Sequence, residues 1–384
     1  MAAAQQSRPQ LYRVERMMSP AARTDLLLLS RYESAGASSR VRLFAYQKWL
    51  EAGGFSVDAQ ALFPDRYIER LYRGEGRSRL EVAASYFRRL VYLLRRRRPG
   101  LIWLEKELWP FLPAAVESHF LGRVPYVVDI DDAVFHNYDA HPSRVVRHML
   151  GQKIDRIFRN AELVTAGSLY LAERAAASGA RRVEIVPTVV DLNSYGDVES
   201  RSHTEFTVGW IGSPATQSYV ESIAPILAES LDRSGCRLIT IGANFARPLF
   251  ERHESQPWRA ETEVEQLAQL DVGIMPLPDE DFERGKCGFK LIQYMAAGVP
   301  VVASPVGANR YIVRQGENGF LAEAAGEWRS ALESLQCNPE LRRKMGAAGR
   351  IMVEQAFSLQ VTGPKVAGWL AAIAAGRRNK AASR

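Results

Sequence analysis

Residues Gly285–Val302 read "GKCGFKLIQYMAAGVPVV". A short basic loop between two glycines opens an apolar, helix-length segment, and Gly298 closes it before the β-branched run "VPVV". Upstream lies another apolar run, "DVGIMPLP" (Asp271–Pro278), joined to the helix by the charged loop "DEDFERGKCG". Strand, loop, helix and strand in that order form the unit of a parallel sheet, because the helix must carry the chain back before the next strand begins.

The same rhythm extends outward. "FTVGWIGSP" and "CRLITIGA" precede this unit, and the first half carries "TDLLLLS", "GLIWLEKE", "PYVVDIDDA", "AELVTAGS" and "RRVEIVPTVV", each separated by helical patterns. Continuous apolar strands imply sheets covered on both faces. The expected fold is therefore α/β, with two Rossmann-like domains facing across a cleft. The first domain is placed at residues 24–190 and the second at 205–355, with a last helix at 356–376. The polar segment "DLNSYGDVESRSHTEF" (Asp191–Phe206) reads as the linker. Met1–Arg23 and the tail "GRRNKAASR" carry no such pattern.

A chain of 384 residues, 47% hydrophobic and 24% charged, is large enough for two separate cores and too apolar for a disordered one. No run approaches the roughly 20 apolar residues of a membrane span, and no signal-peptide pattern opens the chain, so a cytoplasmic location is expected. Three scattered cysteines, Cys236, Cys287 and Cys337, argue against a disulfide framework or a zinc site, and no metal is expected. Most of the net charge of +7 sits in the first 200 residues, which hold 29 Lys+Arg against 23 Asp+Glu. Its densest part, "SRLEVAASYFRRLVYLLRRRRPG", spaces Ala83, Phe87, Leu90 and Leu94 as one helix face. That face reads as core-packed. The arginines from Arg88 to Arg98 either complement the helix C-terminus or, beyond that, meet an anionic membrane surface, with peripheral attachment on the inner face of the plasma membrane. Nucleic acid is not expected, since no binding signature accompanies the charge.

Ligands of open parallel sheets sit beyond the carboxyl ends of the strands. Three turns there carry small or basic residues. Gly36 and Ser38, in "SAGASSR", open a helix after the first strand; Ser38 or Ser39 could equally be a simple N-cap. Gly212 and Ser213 repeat the device in the second half. Lys286, Gly288, Phe289 and Lys290 form the third turn, with Lys286 and Lys290 one helical turn apart. Cations at a helix N-terminus oppose its dipole unless an anion is bound, and a nucleotide diphosphate is such an anion. The alternative is pairing of these lysines with Asp279, Glu280, Asp281 or Glu283. At "VVDIDDAVFHNYDAH", Asp131 and Asp132 need a cation or a donor nearby. They could bind sugar hydroxyls or accept a proton. Alternatively, Asp132 caps the next helix and Asp129 pairs with an arginine. Glu105, Lys106 and Glu107 are expected at the same crevice.

Together, "GFKLIQYMAAGVPVVASPVGANRYIVRQGENGFLA", "GWIGSP" and "EIVPTVVDL" resemble the donor-binding signature of retaining nucleotide-sugar glycosyltransferases with the two-Rossmann GT-B fold. The resemblance covers about Thr24 to Ser358. It implies a sugar donor of the UDP or GDP type, no cofactor, usually no metal, a glycan or lipid-linked acceptor of the cell surface, and a last helix crossing back onto the first domain. It also implies catalytic or binding roles for Asp131, Asp132, Lys290 and Gln293. Two departures stand out. Gln293 and Gly285 occupy the places of the family's two glutamates, and Ser213 and Ser218 those of its Arg and Lys, so the sequence resembles a lysine-rich subgroup. A histidine usually follows the "VVDI" strand; here Asp131 and Asp132 stand there, with His136 and His141 downstream. Two other readings are a non-catalytic nucleotide-sugar-binding or scaffold protein, and, from "DIDDA" alone, a haloacid-dehalogenase-like phosphatase.

Overall fold

The structure, a computed structural model, describes residues 23–76, 78–196, 205–231, 236–243 and 245–382. The unpatterned residues Met1–Ala22 and half of the linker, residues 197–204, lie outside that description.

Two six-stranded sheets form the frame. The first orders its strands β2-β1-β3-β4-β5-β6, with β1 Thr24–Tyr32, β2 Phe55–Phe63, β3 Leu101–Glu105, β4 Tyr126–Ile130, β5 Leu163–Ala166 and β6 Val183–Ile185. The second orders them β12-β11-β10-β7-β8-β9, with β7 Thr207–Ile211, β8 Arg237–Ile241, β9 His253–Gln256, β10 Val272–Met275, β11 Val301–Ala303 and β12 Gly319–Leu321. Every pairing is parallel. The leucines of β1 show why: Leu27 and Leu29 enter one core, Leu26 and Leu28 the other, and all four are fully buried. A strand apolar on both faces needs helices on both faces.

The chain returns to the first domain at its end. Phe357 and Leu359 bracket Val190 through main-chain hydrogen bonds of 3.1 and 2.8 Å. The Leu359–Ala382 helix then sets Val366, Ala367 and Leu370 among Leu26, Tyr46 and Leu50. Burial of each large apolar side chain stabilises by roughly 1.5–3 kcal/mol, enough to fasten this helix across the domain junction. Among the described residues no helix is long and apolar enough to cross a membrane.

The basic helix, Arg79–Arg95, corrects the sequence reading. Leu90 packs on the core as expected, beside Val82, Ser85, Tyr86, Arg89 and Leu93, but Ala83, Phe87 and Leu94 are exposed, the last two by 67% and 65%. The cause is Arg89. Its guanidinium lies fully buried, donating to the carbonyls of Ser30, Gln60 and Leu108, which leaves Leu90 of the expected face on the core and turns Ala83, Phe87 and Leu94 outward.

Candidate functional site

A cavity of about 640 Å³ lies between the domains, at the carboxyl ends of β1, β4, β7 and β10. That is the place and size expected of a ligand site in such sheets. Ser38, Asp131, Asp132, Gly212, Ser213, Lys286, Gly288, Phe289, Lys290 and Gln293 all line it. Gly36 does not, and Ser218 does not. A Cβ on Gly36 would meet Tyr32 Cβ at 2.4 Å, so that glycine serves helix packing rather than ligand approach.

On the first-domain side the site is a charge ladder built from consecutive residues of β3 and its end. Glu105 Oε1 and Oε2 accept hydrogen bonds from the Ser38 and Ser39 hydroxyls at 2.8 and 2.6 Å. Lys106 follows with φ of 61°, a left-handed backbone that costs a lysine on the order of 1–3 kcal/mol. This turn sends the three side chains different ways. Lys106 Nζ meets Asp131 Oδ1 at 2.8 Å and Asp132 Oδ2 at 3.6 Å. Glu107 turns away from the crevice, contrary to the sequence reading, into a buried network with Tyr138 and Lys153. The single Ser38 hydroxyl proton is shared between Glu105 and Asp131 Oδ2, the latter at 2.5 Å.

The clustered carboxylates thus have their cation. Burial alone would raise Asp131, but Lys106, Arg42 and the Ser38 hydroxyl hold its carboxyl down at about 2. Burial alone would depress Lys106, but Asp131, Asp132 and Glu105 hold it above its ordinary value. A carboxylate so depressed is a poor proton acceptor near neutrality, and its role is to accept hydrogen bonds. Asp129 is sealed beneath by Arg42, with contacts of 2.7 and 2.9 Å, so it is no phosphatase nucleophile. The helix after Asp132 takes its N-cap from Phe135, so Asp132 is not the cap. His136 is held between Asp139 and Tyr170 and does not line the cavity.

On the second-domain side stands the loop that opens the Phe289–Ala296 helix. Gly288 caps it at φ of 68°, and a Cβ there would meet Ile312 Cδ1 at 2.4 Å, so only glycine fits. No side chain caps the helix N-terminus. Three of the four acidic loop residues are engaged elsewhere: Asp279 and Asp281 with Arg284 at 2.7 and 2.9 Å, and Glu283 with the Tyr219 hydroxyl. Lys286 instead reaches across to Asp132 Oδ1 at 3.6 Å. Lys290 has no ion-pair partner among the described residues and lies over the Trp210 ring. Burial, then the neighbouring Lys286, lower it to about 7, against a small opposing pull from Asp132. Gln293 is 4% exposed, and its side-chain amide has no hydrogen-bond partner among the described residues.

Two features were not singled out in the sequence. Trp258, in the loop after β9, lines the cavity with the Arg40 guanidinium 4.6 Å above its ring. Its indole N–H donates to Glu263 at 2.7 Å. A tryptophan in the polar segment "ESQPWRAETE" was the available signal. The second is the close approach of the domains. A Cβ on Gly285 would meet Ala133 Cβ at 2.5 Å, and one on Gly167 would meet Cys287 Sγ at 2.3 Å. The Cys287 thiol donates to the Asp131 carbonyl at 2.8 Å. Among the described residues no group of three His, Cys, Asp or Glu is placed to hold a metal ion.

Two parallel six-stranded sheets facing across this cleft, closed by a returning helix, define the GT-B fold of glycosyltransferases. Residues 206–338, most of the second domain, match the family of glycosyl transferases group 1. Sucrose-phosphate synthase of Thermosynechococcus elongatus superposes with a TM-score of 0.70 at 16% identity, over 92% of this chain and all of that one. HepE of Anabaena, solved in complex with UDP and glucose, superposes with a TM-score of 0.63 at 16% identity, over 91% of this chain and all of that one. In sequence, EpsD of Bacillus subtilis (strain 168), assigned as a glycosyltransferase, is 38% identical over 92 residues, 23% of each chain. The matched stretch thus spans under a quarter of that relative's own length.

Proposed function

We propose that this protein transfers a sugar from a nucleoside diphosphate sugar to a hydroxyl of a glycan or lipid-linked glycan precursor of the cell surface. The observation that carries the reading is Lys290, which has no ion-pair partner among the described residues, beside Lys286 at a helix N-terminus that no described side chain caps and that lines a cavity of about 640 Å³. Two ammonium groups and helix N–H donors suit a diphosphate in both ground state and departure, when negative charge grows on the leaving oxygen. In this reading Lys286 and Lys290 supply the positive charge there. Gln293 donates to or accepts from a ribose hydroxyl, and Trp258 stacks on the base.

The acceptor and the transferred sugar occupy the first-domain side, where Asp132 and Asp131 orient hydroxyls and Lys106 holds both carboxylates in place. Retention at the anomeric carbon, and a UDP or GDP donor, are carried over from the resemblance. HepE, with UDP and glucose in its structure, supports the UDP choice.

The test is thermal stabilisation by UDP, GDP and their sugars, together with donor hydrolysis, for the natural chain and for Lys286→Ala and Lys290→Ala. A native-state ligand at a hundredfold excess over its Kd stabilises by about 2.7 kcal/mol. One nucleotide family should stabilise, less so in the lysine variants, and its sugar should turn over. Stabilisation without turnover would replace this reading with a binding-only scaffold, and no stabilisation by any nucleotide would remove the donor site altogether.

A further inference from the structure

The face that Arg89 turns outward on the basic helix is the most unusual surface of the first domain. Leu80, Phe87 and Leu94 are 84%, 67% and 65% exposed, and their seven-residue spacing puts them on one stripe, two turns apart. Seven of the twelve large apolar side chains exposed among the described residues lie between Leu80 and Met149. The stripe ends in a second cavity, of about 270 Å³, whose walls are Leu93, Leu94, Ile102 and Phe120, joined by Arg97, Arg98 and Arg123. Arg95, Arg97 and Arg98 have no ion-pair partner among the described residues, unlike Arg96, which pairs with Asp25 and Asp58. No acidic residue occurs between Glu81 and Glu105.

We propose that this face docks on the surface of an anionic lipid bilayer, with Leu80, Phe87 and Leu94 at the headgroup–acyl boundary and Arg95, Arg97, Arg98 and Arg123 on lipid phosphates. An apolar stripe beside unpaired guanidinium groups has the chemistry of an interfacial helix. A second copy of this chain suits the face poorly, since between Glu81 and Glu105 the face has no acidic residue with which to pair the partner's arginines. Nucleic acid offers phosphates but no apolar layer for the stripe. None of these residues lines the cleft between the domains, so docking leaves the cleft accessible, and the proposal does not rest on the donor reading.

The experiment is co-sedimentation of the full chain with vesicles of phosphatidylcholine alone or with phosphatidylglycerol added, at low and high salt. The chain should bind only the anionic vesicles and leave them as salt rises. Each arginine near the surface contributes about fivefold, so Arg97→Glu with Arg98→Glu should weaken binding by at least about thirtyfold. Phe87→Ser with Leu94→Ser should weaken it about tenfold or more, with an unchanged unfolding midpoint because both side chains are exposed. No binding to anionic vesicles, or binding unaffected by both double variants, would overturn the proposal. So would a change of oligomeric state in the serine variant with lipid binding intact, which would assign the face to a second copy.

Discussion

Lys290 gives the proposed donor site a measurable proton. In the free protein burial and Lys286 lower its ammonium to about 7; a diphosphate beside it restores a value near that of an ordinary lysine, about 10.4. At pH 8.5 the free lysine is then about 3% protonated and the complexed one almost fully, so binding takes up about one proton. At pH 6.5 the uptake falls to about 0.2. Affinity should therefore drop about sixteenfold, ~1.6 kcal/mol, between pH 7 and 8.5. The assay is titration calorimetry with a UDP-sugar, whose diphosphate does not itself titrate in this range, in two buffers of different ionisation enthalpy. Lys290→Met should abolish the uptake and the pH dependence together. The ligand-free protein supplies the complementary sign. Because the folded value lies below the unfolded one, the native state binds fewer protons between about pH 7 and 10, and the stability of the natural chain relative to Lys290→Met should rise across that interval. Uptake that persists in the methionine variant, or none at pH 8.5 despite tight binding, would refute the placement of the diphosphate on Lys290.

Other perturbations test the rest of the site. Lys106→Met leaves Asp131 buried without its cation, which should destabilise the fold by about 3–5 kcal/mol in denaturant titrations. Gly285→Glu restores a side chain that the Ala133 contact excludes; it should cut turnover at least tenfold while the second domain still binds nucleotide, and unchanged turnover would show the close approach to be dispensable. Trp258→Ala removes a base platform and should raise the nucleotide Kd about tenfold, within the range of about 1–3 kcal/mol typical of base stacking, with a direct binding titration as the check.

The inner strands were legible because they are apolar on both faces, as in "TDLLLLS" and "DVGIMPLP". The three strands the pattern missed are all at sheet edges: β2, β9 and β12. An edge strand is half exposed, so β2 alternates through "FSVDAQALF" and β9 reads "HESQ", neither resembling a buried parallel strand. The face of the Arg79–Arg95 helix was misread for a related reason. A buried arginine that reaches three carbonyls behaves as core, but only a three-dimensional contact reveals that it is satisfied.

At the site, local chemistry was readable and long-range pairing was not. The GKCG loop and the DIDDA strand end each declare unpaired charge, yet the cation for Asp131 comes from Lys106, whose placement depends on one left-handed residue. Gly285 joins the two levels. In sequence it is the departure from the family's glutamate; in the structure it is the point where a second-domain loop meets the Ala133 backbone too closely for any side chain. The same close contact brings Lys286 within reach of Asp132 across the cleft. A glutamate at this position would both hold the domains apart and compete with a bound anion for Lys286 and Lys290.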